Sequence, residues 1–297
     1  MSGSNSAPAR DAAPPSRTLR IDVGGGMTLA ADAWGDPAAE PVVFLHGGGQ
    51  TRHAWGDTAR ELAGRGWYAL SLDLRGHGES GWSDEGAYRL GDFAADLRTV
   101  LAGLGRPATL VGASLGGMTA LVAAGEEPRS GVRALVLVDI APRMERSGAL
   151  RIVSFMLSRP DGFASLEEAA EAVAAYQPHR ERPRDTRGLE KNLRLGPDGR
   201  WRWHWDPRFL MGVGVPYAGE TPKRLDDAAR ALSVPTLLVR GRLSDLLSEE
   251  GARHFLELVP HARFADVSGA GHMVAGDRND LFTRAVVDFL GQLPQPR

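Results

Sequence analysis

The sequence predicts an α/β fold, an eight-stranded, mostly parallel sheet with helices on both faces, and three observations carry that reading. First, five short runs are almost wholly apolar: PVVFLHG (41–47), YALSLDL (68–74), ATLVGAS (108–114), RALVLVDI (133–140) and PTLLVRG (235–241). Such runs suit strands buried on both faces of a parallel sheet, because a strand with one wet face alternates instead. Second, segments of helical period lie between and after them, at 54–65, 90–104, 116–126, 248–258 and 280–292. Alternating strand and helix implies a parallel sheet covered on both sides. Third, this rhythm stops between Ile140 and Val234 and then resumes, as an insertion would make it do.

The elements follow in order. Residues 1–16, MSGSNSAPARDAAPPS, hold no apolar run and read as a disordered tail without the apolar region of a signal peptide. RTLRIDV and MTLAADAW alternate around Gly24, Gly25 and Gly26, an antiparallel hairpin that makes the sheet mixed. The five apolar strands come next, and ARFADVSG (262–269) supplies the eighth. The core therefore spans 17–140 and 229–297. Residues 141–228, rich in Arg, Pro and Glu, form an insertion seated over the sheet, mainly helical, with its best helix at 165–176 and an aromatic stretch GRWRWHWDP at 199–207.

Composition narrows the function. The 297 residues carry 35 Lys and Arg against 37 Asp and Glu, so no global field favours nucleic acid or an anionic membrane. No cysteine is present, which excludes disulfides, thiolate catalysis and Cys-ligated metals. No stretch approaches the roughly 18 apolar residues of a membrane span, so the default location is cytoplasmic. No cofactor, metal, nucleic-acid or membrane partner is expected, only a small-molecule substrate; the oligomeric state stays open.

The chemistry centres on Gly112-Ala113-Ser114-Leu115-Gly116, a G-x-S-x-G pentapeptide at a strand-to-helix junction. Small flanking residues permit a sharp turn that lifts the serine hydroxyl above the sheet edge. Alone the pattern also fits a helix start with Ser114 as N-cap. A serine nucleophile needs a base and an acid that orients it. His272, in the Gly-rich loop SGAGHMVAGD after the last strand, is placed to hang over the same edge. His46 and His77 sit in turns explained structurally, His53 is a weaker possibility, and His179, His204, His254 and His261 fall in the insertion or on helical surfaces. For the acid there are two candidates at carboxyl ends of strands. Asp245 in VRGRLSDLLS is favoured because its loop flanks the strand leading to that of His272; Asp139, ending LVLVDI, is the competitor. The order Ser114, Asp245, His272 is nucleophile, acid, base. Oxyanion donors follow from position: the N–H of Leu115, opening the helix, and that of Gly48, with Gly49 the alternative, in the loop after strand 41–47.

With those pieces in order, the sequence resembles the α/β-hydrolases from about Arg17 to its end. FLHGGG, LDLRGHGES, VGASLGG, the Asp245 loop and GAGHMVAGD stand at family positions. The resemblance implies that 141–228 is a mobile cap or lid and that DLRGHGES is a structural turn in which Asp73 and His77 are not catalysts. It implies a serine hydrolase of a small carboxylic ester or lactone, working through an acyl-enzyme on Ser114. A C–C bond hydrolase with the same triad, or a small-molecule receptor without turnover, are the alternatives; relatives with an elbow aspartate, such as epoxide hydrolases and dehalogenases, are disfavoured by Ser114. In the insertion, Trp201, Trp203 and Trp205 share one face if extended, so Trp203 and Trp205 are candidates for an aromatic pocket wall, or for glue between cap and core. Arg200, Arg202 and Arg208 nearby are candidates to contact a carboxylate.

Overall fold

The computed structural model describes residues 17–127, 131–176, 186–212, 221–277 and 279–293. The N-terminal tail of 1–16 and His179 lie outside the described residues. The chain runs through β1 (Arg17–Asp22), β2 (Thr28–Trp34), β3 (Pro41–Leu45), α1 (Gly56–Gly64), β4 (Tyr68–Leu72), α2 (Leu90–Leu104), β5 (Ala108–Ala113), α3 (Leu115–Glu126) and β6 (Val132–Val138). Then come α4 (Arg146–Leu157), α5 (Leu166–Tyr176), a 3₁₀ turn at Thr186–Asn192, β7 (Leu193–Leu195), β8 (Trp201–Trp203) and α6 (Phe209–Gly212). The chain closes with α7 (Thr221–Arg230), β9 (Thr236–Gly241), α8 (Glu249–Leu258), β10 (Arg263–Val267), α9 (Val274–Asp277) and α10 (Asn279–Leu290).

Eight strands form one sheet in the order β1-β2-β4-β3-β5-β6-β9-β10, antiparallel at β1–β2 and β2–β4 and parallel throughout the rest. The apolar runs are buried on both faces, as their composition requires. Val43, Leu45 and Leu110 join the core under α2, α3 and α7, whereas Val42, Phe44 and Val111 join the opposite layer with Phe282, Val286 and Phe289 of α10.

The register positions the site. Leu45 pairs with Gly112, Ala113 with Val138, Val138 with Val239 and Gly241 with Val267. The loops that follow β3, β5, β6, β9 and β10 therefore leave the sheet side by side at one edge, and Ser114 and Asp139 are the first residues past neighbouring strands.

The segment between β6 and α7 crosses this edge. Inside it, β7 and β8 make a small antiparallel sheet of their own, bridged to Phe163. Its seat is the turn at 73–80: Gly78 N–H donates to His204 Nδ1 (2.7 Å), Asp206 N–H to the Gly76 carbonyl (2.8 Å) and the Tyr88 hydroxyl to Asp206 (2.6 Å). The excursion ends earlier than residue 228. Leu225, Ala228 and Ala229 of α7 are buried in the main core, and a Cβ on Gly125 of α3 would lie 2.2 Å from the Ala228 carbonyl oxygen. The polar face of TPKRLDDAAR hid an apolar stripe at helical spacing that belongs to the core.

Candidate active site

Ser114 begins from backbone crowding. A Cβ on Gly112 would sit 2.5 Å from the Gly116 carbonyl oxygen, and one on Gly116 would sit 2.4 Å from that of Leu45. Only glycine fits such approaches, and the chain between them must turn abruptly from strand to helix. Ser114 absorbs the turn at φ 47°, ψ −116°, and its side chain makes no capping hydrogen bond to α3. The N-cap alternative is therefore not what the serine does. Among the described residues only one other non-glycine has positive φ, Asp139 at 52°. Strained backbone of this kind costs about 1–3 kcal/mol per residue and collects at functional sites. Here both instances stand at the ends of adjacent strands.

Asp139 is the carboxylate that meets His272. His272 Nδ1 lies 2.7 Å from Asp139 Oδ2, with the carboxylate fully buried. The other oxygen, Oδ1, accepts the Gly241 N–H (2.9 Å), and Oδ2 also accepts the Ser244 hydroxyl (2.5 Å). Ser244 Oγ in turn accepts the N–H groups of Leu246 and Leu247 (3.1 Å each), so its own proton is directed at Asp139. Three donors on a buried carboxylate offset its desolvation and fix its direction. An acceptor at Nδ1 places the imidazole proton there and leaves Nε2 as the basic nitrogen.

The expectation for Asp245 is corrected. Its carboxylate turns away from His272 and pairs with Arg151 of α4 at 2.7 Å. Asp139 follows its strand directly, whereas Asp245 comes four residues after Gly241, beyond the turn that Ser244 caps. Backbone closeness adds to this: a Cβ on Gly148 of α4 would meet the Asp245 carbonyl oxygen at 2.2 Å, so the Asp245 segment serves as a cap contact.

Ser114, Leu115, Gly48 and His272 line one cavity of about 460 Å³. Leu115 is the first residue of α3, so its N–H has no acceptor within the helix. Gly48 lies against it, with a Cβ position 4.0 Å from the Leu115 Cβ. The preceding Gly47 N–H is held by the Gln50 side chain at 2.9 Å. Gly49, at φ 77°, is pressed beneath the cap: a Cβ there would come within 2.8 Å of Met156 and 3.1 Å of Trp205.

A profile of the family described as alpha/beta hydrolase fold matches residues 40–278. The chain belongs to the α/β-hydrolase fold family. Esterase Rv0045c of Mycobacterium tuberculosis is 34% identical over 269 residues, covering 88% of this chain and 85% of that protein. A 3-hydroxybutyrate-oligomer hydrolase of Cupriavidus necator is 30% identical over 268 residues, covering 85% and 89%. The solved structure of the Rv0045c esterase superposes with a TM-score of 0.74 at 30% identity over 95% of this chain and 94% of that one. That of E-2-(acetamidomethylene)succinate hydrolase reaches 0.80 at 24% identity over 93% and 99%, a likeness of fold.

The other histidines of this α/β-hydrolase sort by burial. Burial pushes His46 down to about 3, and the neutral ring bridges the Gly47 carbonyl at Nδ1 (2.8 Å) and the Leu74 N–H at Nε2 (3.0 Å). His77 is held well below its ordinary value by burial and by His46, and its ring packs 4.5 Å from Phe209 of the cap. His204 is brought down to about 4 by burial. His53 lines the cavity but sits 3.7 Å from Asp32, not beside Asp139. His254 pairs with Asp226 and His261 with the Val234 carbonyl, both on helical surfaces or loops far from the cavity. Asp73 is a buried structural hub: it accepts from the Arg52 N–H (2.7 Å), the Arg52 guanidinium and the Glu79 N–H (2.9 Å).

The segment between β6 and α7 lines the cavity with aromatic and apolar side chains. Trp203 and Trp205 stack at 4.9 Å with their planes 9° apart, and both line the cavity. Trp205 is also buried in the main core, so wall and glue are one role in this residue. Trp201 faces the cap's own small cluster with Phe163. The three arginines do not reach the cavity lining: Arg202 pairs with Asp198, Arg208 with Asp206, and Arg200 donates to carbonyls of Asp161 and Gly162. Burial raises the Asp206 carboxyl, but hydrogen bonds from Arg208 and Tyr88 outweigh it and hold the group below its usual value. Sequence reasoning missed Ser244, Gln50, Lys191 and the Phe155–Tyr176 stack (4.2 Å). Only Ser244 left a signal, a hydroxyl beside the Asp245 candidate in a loop after a buried strand.

Proposed function

We propose that this α/β-hydrolase cleaves a small carboxylic ester or lactone through an acyl-enzyme on Ser114, with His272 as base and Asp139, in place of Asp245, as the orienting acid. The observation that supports it best is the His272–Asp139 pair, 2.7 Å long, whose imidazole lines the same cavity as Ser114 on its strained turn while the carboxylate is buried behind it. In this reading Ser114 Oγ attacks the carbonyl carbon while its proton passes to His272 Nε2. The imidazolium is stabilised through Nδ1–H by Asp139, and the N–H groups of Leu115 and Gly48 receive the oxyanion. The same proton then leaves with the alcohol, and water, activated by His272, releases the acid. The names of the two relatives described above, an esterase and a 3-hydroxybutyrate-oligomer hydrolase, support hydrolysis, and the first of them supports an ester substrate. The cap would exclude water from the oxyanion contacts and so strengthen them.

The test is a fluorophosphonate probe read by intact mass and peptide mapping, beside turnover of p-nitrophenyl esters and lactones. One adduct, on Ser114, and a loss of about 10⁴-fold or more in kcat for Ser114→Ala are expected. An adduct on another residue overturns the reading. Stoichiometric product release without turnover returns the receptor alternative.

A further inference from the structure

The cavity lining is unequal in charge. Among the described residues that form it there is no Asp or Glu, and Lys191 carries the one permanent charge. Its other walls are apolar: Met118, Ile152, Val153, Phe155, Trp203 and Leu210 are typical of them. Lys191 makes no ion pair or hydrogen bond among the described residues, in a protein where most other cap cations have carboxylate or carbonyl partners.

Its place is set from both sides. Lys191 stands one residue before the end of the 3₁₀ turn Thr186–Asn192. There the Thr51 hydroxyl of the core donates to Asn192 Oδ1 (3.2 Å), and the His204 N–H donates to the Asn192 carbonyl (3.3 Å). Thr51, His53 and Asn192 line the same end of the cavity as Lys191. With Oδ1 of Asn192 engaged by Thr51, its amide N–H groups have no acceptor among the described residues. Burial and the Arg52 guanidinium push the His53 imidazole down, with Lys191 adding to the effect, so His53 is a neutral neighbour and not a second cation. A lone ammonium, a side-chain amide donor and an apolar approach make a set in which charged donors meet no carboxylate of the protein's own.

We infer that the Lys191–Asn192 end of the cavity is a subsite for a carboxylate, so that the preferred substrate is an ester bearing a free carboxylate on the part the cavity encloses. This rests on the serine-hydrolase reading for its chemistry, though not for its binding. An apolar chain would lie along the Trp203 and Phe155 wall, with its carboxylate accepting from Lys191 Nζ and Asn192 Nδ2. Charge-assisted hydrogen bonds beside an apolar wall gain more than they would in open water.

The experiment compares matched esters. Mono-p-nitrophenyl adipate is set against p-nitrophenyl hexanoate for a carboxylate on the acyl side, and 4-carboxyphenyl hexanoate against phenyl hexanoate for the alcohol side. In wild type, one pair should favour the charged ester in kcat/KM. Lys191→Met should lower that charged-to-neutral ratio about tenfold through KM, and Lys191→Arg should keep most of it. Hexanoate and the neutral hexanamide are also titrated into the Ser114→Ala protein, with and without Lys191→Met, by tryptophan fluorescence. Preference for hexanoate over hexanamide, lost with Lys191, supports the subsite even if no ester is turned over, in which case only the hydrolytic reading falls. No preference for hexanoate over hexanamide, or a preference that Lys191→Met leaves unchanged, overturns the subsite.

Discussion

The floor and the roof of this cavity are held by different physics. The floor is backbone: glycines at 112 and 116 pass within 2.5 Å and 2.4 Å of carbonyl oxygens at their would-be Cβ positions, and Ser114 and Asp139 are strained at the ends of paired strands. The roof is side chain: Trp203 on Trp205, Phe155 on Tyr176, Phe209 on His77. Backbone crowding tolerates almost no variation, so it keeps reacting groups within the narrow tolerance that catalysis demands. Stacked side chains can be exchanged for others of similar volume, so they suit the part of the site that selects a substrate. Changes in the floor should therefore act on kcat for every substrate, and changes in the roof on KM for some.

The largest effect comes from testing that division at the two carboxylates. Asp139 belongs to the floor and Asp245 contacts the cap through Arg151. Asp139→Asn should lower kcat by about 10³–10⁴-fold on acetate and hexanoate esters alike, because the amide favours the wrong imidazole tautomer. Asp245→Asn removes a surface-type pair of partly exposed groups and should change kcat by less than about threefold. Equal losses from the two variants, measured as steady-state kcat on both esters, would erase the distinction between floor and roof.

The same division explains what was legible in the sequence. Crowded backbone demands particular residues, so the elbow at 112–116, the glycine loop at 47–49 and the His272 loop all left readable patterns, and so did the fully apolar strands. The partner of His272 is not legible in the same way, because Asp139 and Asp245 both satisfy the chain order between Ser114 and His272. The choice between them depends on where each carboxylate is held: Asp139, buried at its strand end, meets His272, the partner expected for Asp245, while the turn that Ser244 Oγ fixes through the N–H groups of Leu246 and Leu247 carries Asp245 on to Arg151. No residue pattern encodes that turn. The roof was harder still. Trp201, Trp203 and Trp205 read as one face, yet the strand ends at Trp203 and Trp201 pairs with Phe163, so only two of the three reach the cavity.

A smaller effect should separate the two tryptophans. Trp205 is 5% exposed and joins the main core, whereas Trp203 is half-buried at its edge. Trp205→Ala should cost about 3–5 kcal/mol of stability in denaturant melts, as loss of a buried ring does. Trp203→Ala should cost less and raise KM for hexanoate and benzoate esters well above its effect on acetate. If Trp203→Ala depresses all esters equally and lowers stability as much as Trp205→Ala, both rings are glue and the roof does not select.

The smallest effect concerns the seam where the roof rests on the floor. His204 is a roof residue whose Nδ1 accepts the Gly78 N–H, and burial brings its pKa down to about 4. Its value in the unfolded chain is about 6.5, so between those limits the unfolded state binds a proton that the native state refuses. The stability tied to this group is complete above pH 6.5 and shrinks as pH falls toward 4, at about 1.4 kcal/mol per pH unit. His46, His77 and His53 are shifted in the same direction, so they add to the native slope beside His204. His204→Asn keeps an oxygen acceptor for Gly78 and removes one titrating group. Denaturant melts from pH 7 to pH 5 should show the slope reduced by about one proton, with little change at pH 7. A slope equal to that of wild type would mean that His204 takes up its proton before global unfolding, and that the roof lifts from the floor in mild acid while the floor stays folded.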